Sequence, residues 1–136
     1  MNIVDFLANR GSQILNLLFQ HIELTVISVC VAVVIGIPIG ILLSIQKNIQ
    51  KPVLTIINAC QAVPSLAFLG FLIPIVGIGT QTAVILVVIY ALPPIVKNTC
   101  TGILNLDEDI ISTARGIGLT NFQILTKIQF PLALPV

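Results

Sequence analysis

Charge is what this chain has least of. Only 8% of its 136 residues are Asp, Glu, Lys or Arg, against roughly a quarter in an ordinary soluble domain. None falls between Leu24 and Ile45, and none between Pro52 and Val96. A soluble fold has no use for uncharged runs of that length. A helix crossing hydrocarbon needs about 20 apolar residues, because each rises about 1.5 Å against a core roughly 30 Å thick. The first run is long enough for one crossing and the second for two. The chain therefore reads as an all-α integral membrane protein, a polytopic helical bundle. A hydrophobic content of 57% and a mean hydropathy of +1.12 agree with that reading.

Other scarcities exclude kinds of chemistry. The one histidine, His21, precedes the first run, and no His, Asp or Glu residues are spaced as metal ligands. Ser28, Ser44 and Ser65 have no base in the pattern, which argues against an intramembrane enzyme. The apolar runs lack the carboxylates and histidines that ion-coupled transporters commonly carry, although a neutral pore stays open. No glycine-rich phosphate loop ending in Gly-Lys-Ser or Gly-Lys-Thr occurs, so the chain is expected to bind neither ATP nor any other cofactor. No metal and no nucleic acid is expected as a partner. Cys30, Cys60 and Cys100 lie 30 and 40 residues apart, which fits neither a zinc site nor a disulfide framework. No small-residue cleavage pattern follows a basic start, so no signal peptide is expected.

What remains is one unit, residues 1–136, in several segments. Over 2–23, polar residues at Asn2, Asp5, Asn9, Gln13, Asn16, Gln20 and Glu23 recur every three or four positions. That is an amphipathic helix, lying either in the membrane interface or against its own protein. The first span is predicted over 24–45. Its Gly36-Ile37-Pro38-Ile39-Gly40 offers a close approach to another helix, read as one of the same chain. Lys47 and Lys51 flank a short polar connection, with Pro52 in the first turn of the next helix. The second span, 53–76, is interrupted by Gln61-Ala62-Val63-Pro64-Ser65, because a residue before proline is pushed out of the helical region. Either Gln61 and Ser65 bond a neighbouring helix there, or they line a path. Gly77-Ile78-Gly79-Thr80-Gln81 is the turn, and the third span is predicted over 80–96, short for a crossing. Three crossings put Lys47, Lys51, Lys97, Arg115 and Lys127 on one side and Arg10 alone on the other. The positive-inside rule then places the amino terminus outside and residues 104–131 in the cytoplasm.

That last segment is dense with start and stop signals. Asp107, Glu108 and Asp109 stand where a helix would begin, Arg115 stands near its end, and Gly116 and Gly118 follow. Thr120-Asn121-Phe122-Gln123 reads as a capping box with Leu119 and Ile124 as its hydrophobic staple. A second short helix should run from Asn121 towards Phe130 and stop at Pro131. Two short helices about a glycine turn make a docking element.

Here the sequence resembles a family. Ser112-Thr113-Ala114, then Gly118, then Ile128-Gln129-Phe130-Pro131 match the spacing of the "EAA" loop, E-A-A-x3-G-x9-I-x-L-P, of permease subunits of bacterial ABC importers with the MetI-like fold. Residues 113–119, Phe130-Pro131-Leu132-Ala133-Leu134-Pro135, Gln61-Ala62-Val63-Pro64-Ser65-Leu66-Ala67 and the run Tyr90 to Thr99 look like the branch importing glycine betaine, carnitine and choline. Ser112 stands where the family often has glutamate, Thr113 where it has alanine, and Phe130 replaces leucine. The family core has five crossings, of which three are present, so the chain is read as a truncated permease.

The resemblance implies a multi-pass protein of the cytoplasmic membrane working with an ATP-hydrolysing subunit, a second permease subunit in a homo- or heterodimer, and an extracytoplasmic solute-binding protein. Ser112, Thr113, Ala114, Arg115, Gly116, Gly118, Leu119, Ile128 and Pro131 would contact the ATPase, which uses the ATP. Gln61, Pro64, Ser65, Tyr90 and Asn98 are the candidate pathway residues. With no Trp and one Tyr, an aromatic cage for a quaternary ammonium is expected in the binding protein. Import of another small solute, such as an amino acid, and a channel or secondary transporter outside the ABC class are the competing readings.

Overall fold

The computed structural model describes residues 3–133. Regular structure among them is entirely helical: α1 over Ile3–Ile45, α2 over Lys47–Ala62, α3 over Ser65–Val76, α4 over Thr80–Leu104, α5 over Glu108–Gly116, α6 over Asn121–Ile124 and α7 over Phe130–Ala133. A π-helical turn, Leu125–Gln129, joins the last two.

α1 does not divide at Leu24, where the amphipathic segment was expected to give way to the first span. No proline occurs before Pro38 and no cap interrupts the ladder, so one helix of 43 residues results, about 65 Å long. Asn2 of the amphipathic segment lies outside the described residues. Leu15, Leu17, Leu18 and Phe19 are 51–67% exposed, so this part of α1 is not packed on the rest of the chain. Lys47 and Lys51 do not flank a loop either. Gln46 alone separates α1 from α2, and Pro52 sits within α2.

α1 and α4 form the core by close backbone approach. A Cβ on Gly36 would lie 2.8 Å from Ile95 Cγ2, and one on Gly40 would lie 2.6 Å from Thr99 Cβ and 2.9 Å from the Val96 carbonyl oxygen. No side chain fits at either site. The seam is longer than the glycine pair: Ser28, Ala32, Gly36, Gly40 and Ser44 recur every fourth residue, all buried. Both serines donate to their own helix, Ser28 to the Leu24 carbonyl and Ser44 to that of Ile41, each at 2.7 Å. The seam therefore presents small surfaces with no unpaired hydroxyl.

Four residues further along α1 meet four residues further along α4, so the two helices run parallel. α4 begins level with the stretch Gln20–Ile27, which faces Thr80 and Val84 across a groove. The chain must therefore travel back along α1 between the two helices, and α2 with α3 does this. A re-entrant pair would have returned it to the end it left. Arg10–Ile45 and Thr80–Leu104 are long and apolar enough to cross a membrane, and α2 plus α3 is a third crossing bent by 90°.

Of the prolines at 38, 52, 64, 74, 93 and 94, only Pro64 ends a helix. Val63 takes φ −76°, ψ 128° before it, as the proline ring demands. The third span was expected to end at Val96, but α4 passes through Pro93-Pro94 to Leu104. Pro93, Val96, Cys100, Gly102 and Ile103 are all buried, so packing overrides the local penalty.

Candidate functional site

The chain places two groups of candidate residues at opposite parts of the fold. One is the break between α2 and α3. Tyr90 on α4 donates its hydroxyl to the Val63 carbonyl, and its ring meets Phe68 edge-on with centroids 5.8 Å apart. The carbonyl has no helical partner at that bend, and an orphan carbonyl at membrane depth is costly. Tyr90 is therefore the contact that makes the break tolerable, bringing Tyr90 and Pro64 together. Gln61, Ser65 and Asn98 are exposed, and no hydrogen bond joins their side chains to this cluster.

The other group is the segment after α4. Asp107 caps α5, its carboxylate accepting from the Asp109 N–H at 3.0 Å. The helix ends in a Schellman turn: the Leu119 N–H donates to the Ala114 carbonyl at 3.1 Å and the Gly118 N–H to that of Arg115 at 3.0 Å. Gly118 has φ 89°, a left-handed conformation that side chains resist. Gly116, expected to share that role, is the last helical residue of α5, with open space where a Cβ would be. Gly118 alone makes the turn.

The capping box then forms in full. Gln123 Oε1 accepts from the Thr120 N–H at 2.9 Å, and Thr120 Oγ1 accepts from the Gln123 N–H at 3.3 Å. Ile124 is 2% exposed and Leu119 half-buried, so both staple residues turn inward. Pro131 does not stop the second helix. The Phe130 N–H reaches back five residues to the Leu125 carbonyl, and this widened turn takes up the proline ring so that α7 continues.

Within the loop motif the residues separate by face. Ala114 is buried, while Ser112, Thr113, Arg115, Gly116, Gly118 and Pro131 are exposed and Ile128 is half-buried. Ser112 and Thr113 both donate to the Asp109 carbonyl, at 3.0 and 2.7 Å. Each hydroxyl is thus turned back onto the helix. Arg115 lines a cleft of about 770 Å³ with Lys47, Glu108, Asn121 and Gln129, between the ends of α1 and α4 and the two short helices. Two apolar residues escaped the sequence reading: Ile117 and Phe122 are 75% and 73% exposed, one on each side of the turn. Their signal was apolar residues directly beside capping positions.

The comparisons agree on what this arrangement is. Residues 14–136 match the family described as binding-protein-dependent transport system inner membrane component. The carnitine transport permease protein OpuCB of Listeria monocytogenes is 36% identical over 134 residues, 98% of this chain and 62% of the relative. The choline transport system permease protein OpuBB of Bacillus subtilis is 34% identical over 135 residues, 99% of this chain and 62% of that protein. The chain thus spans about three fifths of the length of these curated relatives. A chain of the inward-facing MetNI methionine ABC transporter superposes with a TM-score of 0.77 at 28% identity, covering 99% of this chain and 67% of that one. With its helices, glycine seam and capped loop accounted for, the chain belongs to the family of binding-protein-dependent transport inner membrane components, as a permease of the ABC-importer type.

Proposed function

We propose that this chain is part of a permease subunit that imports quaternary-ammonium osmolytes such as glycine betaine, carnitine or choline. It forms one side of the solute path with a second permease subunit, receives solute from an extracytoplasmic binding protein, and binds no ATP itself. The observation that carries the coupling role is the rigid α5–Gly118–α6 element. Both of its helices are capped, its turn is fixed by φ, and Ile117 and Phe122 stand exposed on it. Such an element suits insertion into a cleft of an ATPase subunit, so that closure of the ATPase pair moves it as one body. α4 leads directly into it, and Tyr90 on α4 holds the α2–α3 break. A push on the loop therefore has a continuous helix along which to reach the path. In this reading the amino terminus is outside the cytoplasmic membrane and the loop inside.

The solute class rests on relatives whose names state carnitine and choline transport. The likeness to a methionine transporter favours an amino acid as the second reading. Reconstitution of the transporter containing this chain, with its ATPase and binding protein, separates the two. ATP-dependent uptake of labelled betaine, carnitine or choline, uninhibited by methionine, is the expected result. Uptake of methionine alone would transfer the proposal to the second reading, and uptake without ATP would defeat both.

A further inference from the structure

α2 meets three environments on three faces. Towards the core, Val53, Leu54 and Ile57 pack on Leu43, Val96 and Cys100, and Gln50 reaches Cys100 Sγ at 3.6 Å. A second face carries Ile49, Ile56 and Cys60, all exposed and apolar, as a surface against lipid tails would be. The third carries Asn48, Lys51, Thr55 and Asn58, also all exposed, within about 80° of arc on a helix of 3.6 residues per turn. None of these residues belongs to the candidate pathway set read from the sequence.

The polar face cannot share the lipid with the apolar one. Thr55 satisfies its hydroxyl on the Lys51 carbonyl at 2.9 Å. Asn58 lies in the uncharged run, and among the described residues its side-chain amide has no partner. An unpaired amide is expensive in hydrocarbon, and either water or a neighbouring helix removes that cost; water-borne labelling separates the two. The stripe also leads towards the break, where Val63 and Pro64 leave helical geometry and Tyr90 holds the exposed carbonyl.

We propose that Asn48, Lys51, Thr55 and Asn58 form a wall of the water-filled solute path, with the Asn58 amide offered to the passing solute; this rests on the permease reading above. Deeper along the stripe than Lys51, whose ammonium repels another cation, Thr55 and Asn58 are neutral and suit a solute with a fixed quaternary cation. That cation donates no hydrogen bond, and the carboxylate or hydroxyl it travels with can be met by a neutral amide. Neutral contacts hold a solute long enough to enter and weakly enough to let it leave.

The test uses the reconstituted transporter with its native cysteines replaced by serine and uptake retained. Single cysteines are placed at Asn58→Cys, Thr55→Cys and Ile56→Cys, with native Cys60 restored alone in a fourth variant. The probe is a membrane-impermeant methanethiosulfonate bearing a trimethylammonium group. Asn58→Cys and Thr55→Cys should react roughly an order of magnitude faster than Ile56→Cys and Cys60, since only the former pair faces water. Labelling of Asn58→Cys should also reduce uptake. Equal rates on the two faces, or no reaction at Thr55→Cys and Asn58→Cys, would overturn the proposal. Thr55→Cys replaces a residue of nearly the same size, so it keeps the test valid if Asn58→Cys fails to insert. Saturating betaine, carnitine or choline should slow the reaction at Asn58→Cys. Fast reaction without protection by any of them would leave the wall standing and remove the osmolyte reading.

Discussion

The α1–α4 seam and the α5–α6 segment are both built around glycines, yet glycine serves opposite purposes in them. In the seam Gly36 and Gly40 are ordinary helical residues whose missing side chains admit a distant part of the chain. In the loop Gly118 has open space around it, and what it supplies is a left-handed backbone. The seam is held by contacts between residues some 59 positions apart in sequence. The loop is held by hydrogen bonds that span no more than five. A membrane-embedded pair has little hydrophobic drive to associate, because lipid is as apolar as leucine, so it must rely on close packing. A loop at the membrane surface can instead use caps, since water competes for every unpaired backbone group there.

If that contrast holds, replacing Gly40 is the most damaging change of its kind. Gly40→Leu would drive a branched side chain into Thr99 and the Val96 carbonyl, at the upper end of the roughly 1–3 kcal/mol that overpacking costs. The midpoint of unfolding in detergent should fall sharply and uptake should be lost. Gly36→Ala should cost less than Gly40→Ala, because its added methyl meets side-chain atoms of Ile95, at 2.8 and 3.2 Å, and no backbone atom. Equal losses at the two positions would show that the backbone contact at Gly40 has no special weight.

Gly118→Ala tests the other half. The strain is about 1–2 kcal/mol for a left-handed alanine, at a position with nothing within 4 Å of the added Cβ. The unfolding midpoint should move modestly. Uptake should fall by more than the stability loss explains, because the two short helices no longer keep their relative orientation. An unfolding shift as large as that of Gly40→Leu would mean the turn holds the seam together, and the two regions would not be independent.

The smallest effect belongs to Gly116→Ala. With helical geometry and nothing within 4 Å of the added Cβ, alanine should be neutral or stabilise by up to about 1 kcal/mol. If uptake collapses while the unfolding midpoint holds, Gly116 is covered by a partner in the assembled transporter, and the ATPase cleft is its natural occupant.

The capped segment was legible almost to the residue, since Asp107, Gly118, Thr120 and Gln123 all act within a turn of their partners. Pro64 and the residue before it were legible for the same reason. The error at Gly116 came from treating two neighbouring glycines alike when only one had to adopt a positive φ. The error at Pro131 came from reading proline as a stop, which a single widened turn avoids.

What the sequence by itself determined is therefore everything governed by local chemistry: membrane residence from the uncharged runs, the helix caps, the glycine turn and the break at Pro64. Tertiary structure alone decided which prolines are tolerated, that α1 and α4 run parallel, that five small residues rather than two line their contact, and that Tyr90 closes the Val63 carbonyl. Those outcomes depend on what lies across from each residue in space. Pro93 shows it: α4 runs through the proline where Val96, Cys100 and Ile103 are buried, and that burial exists only in the packed fold, whereas Pro38, Pro52, Pro74 and Pro94 stay helical while exposed.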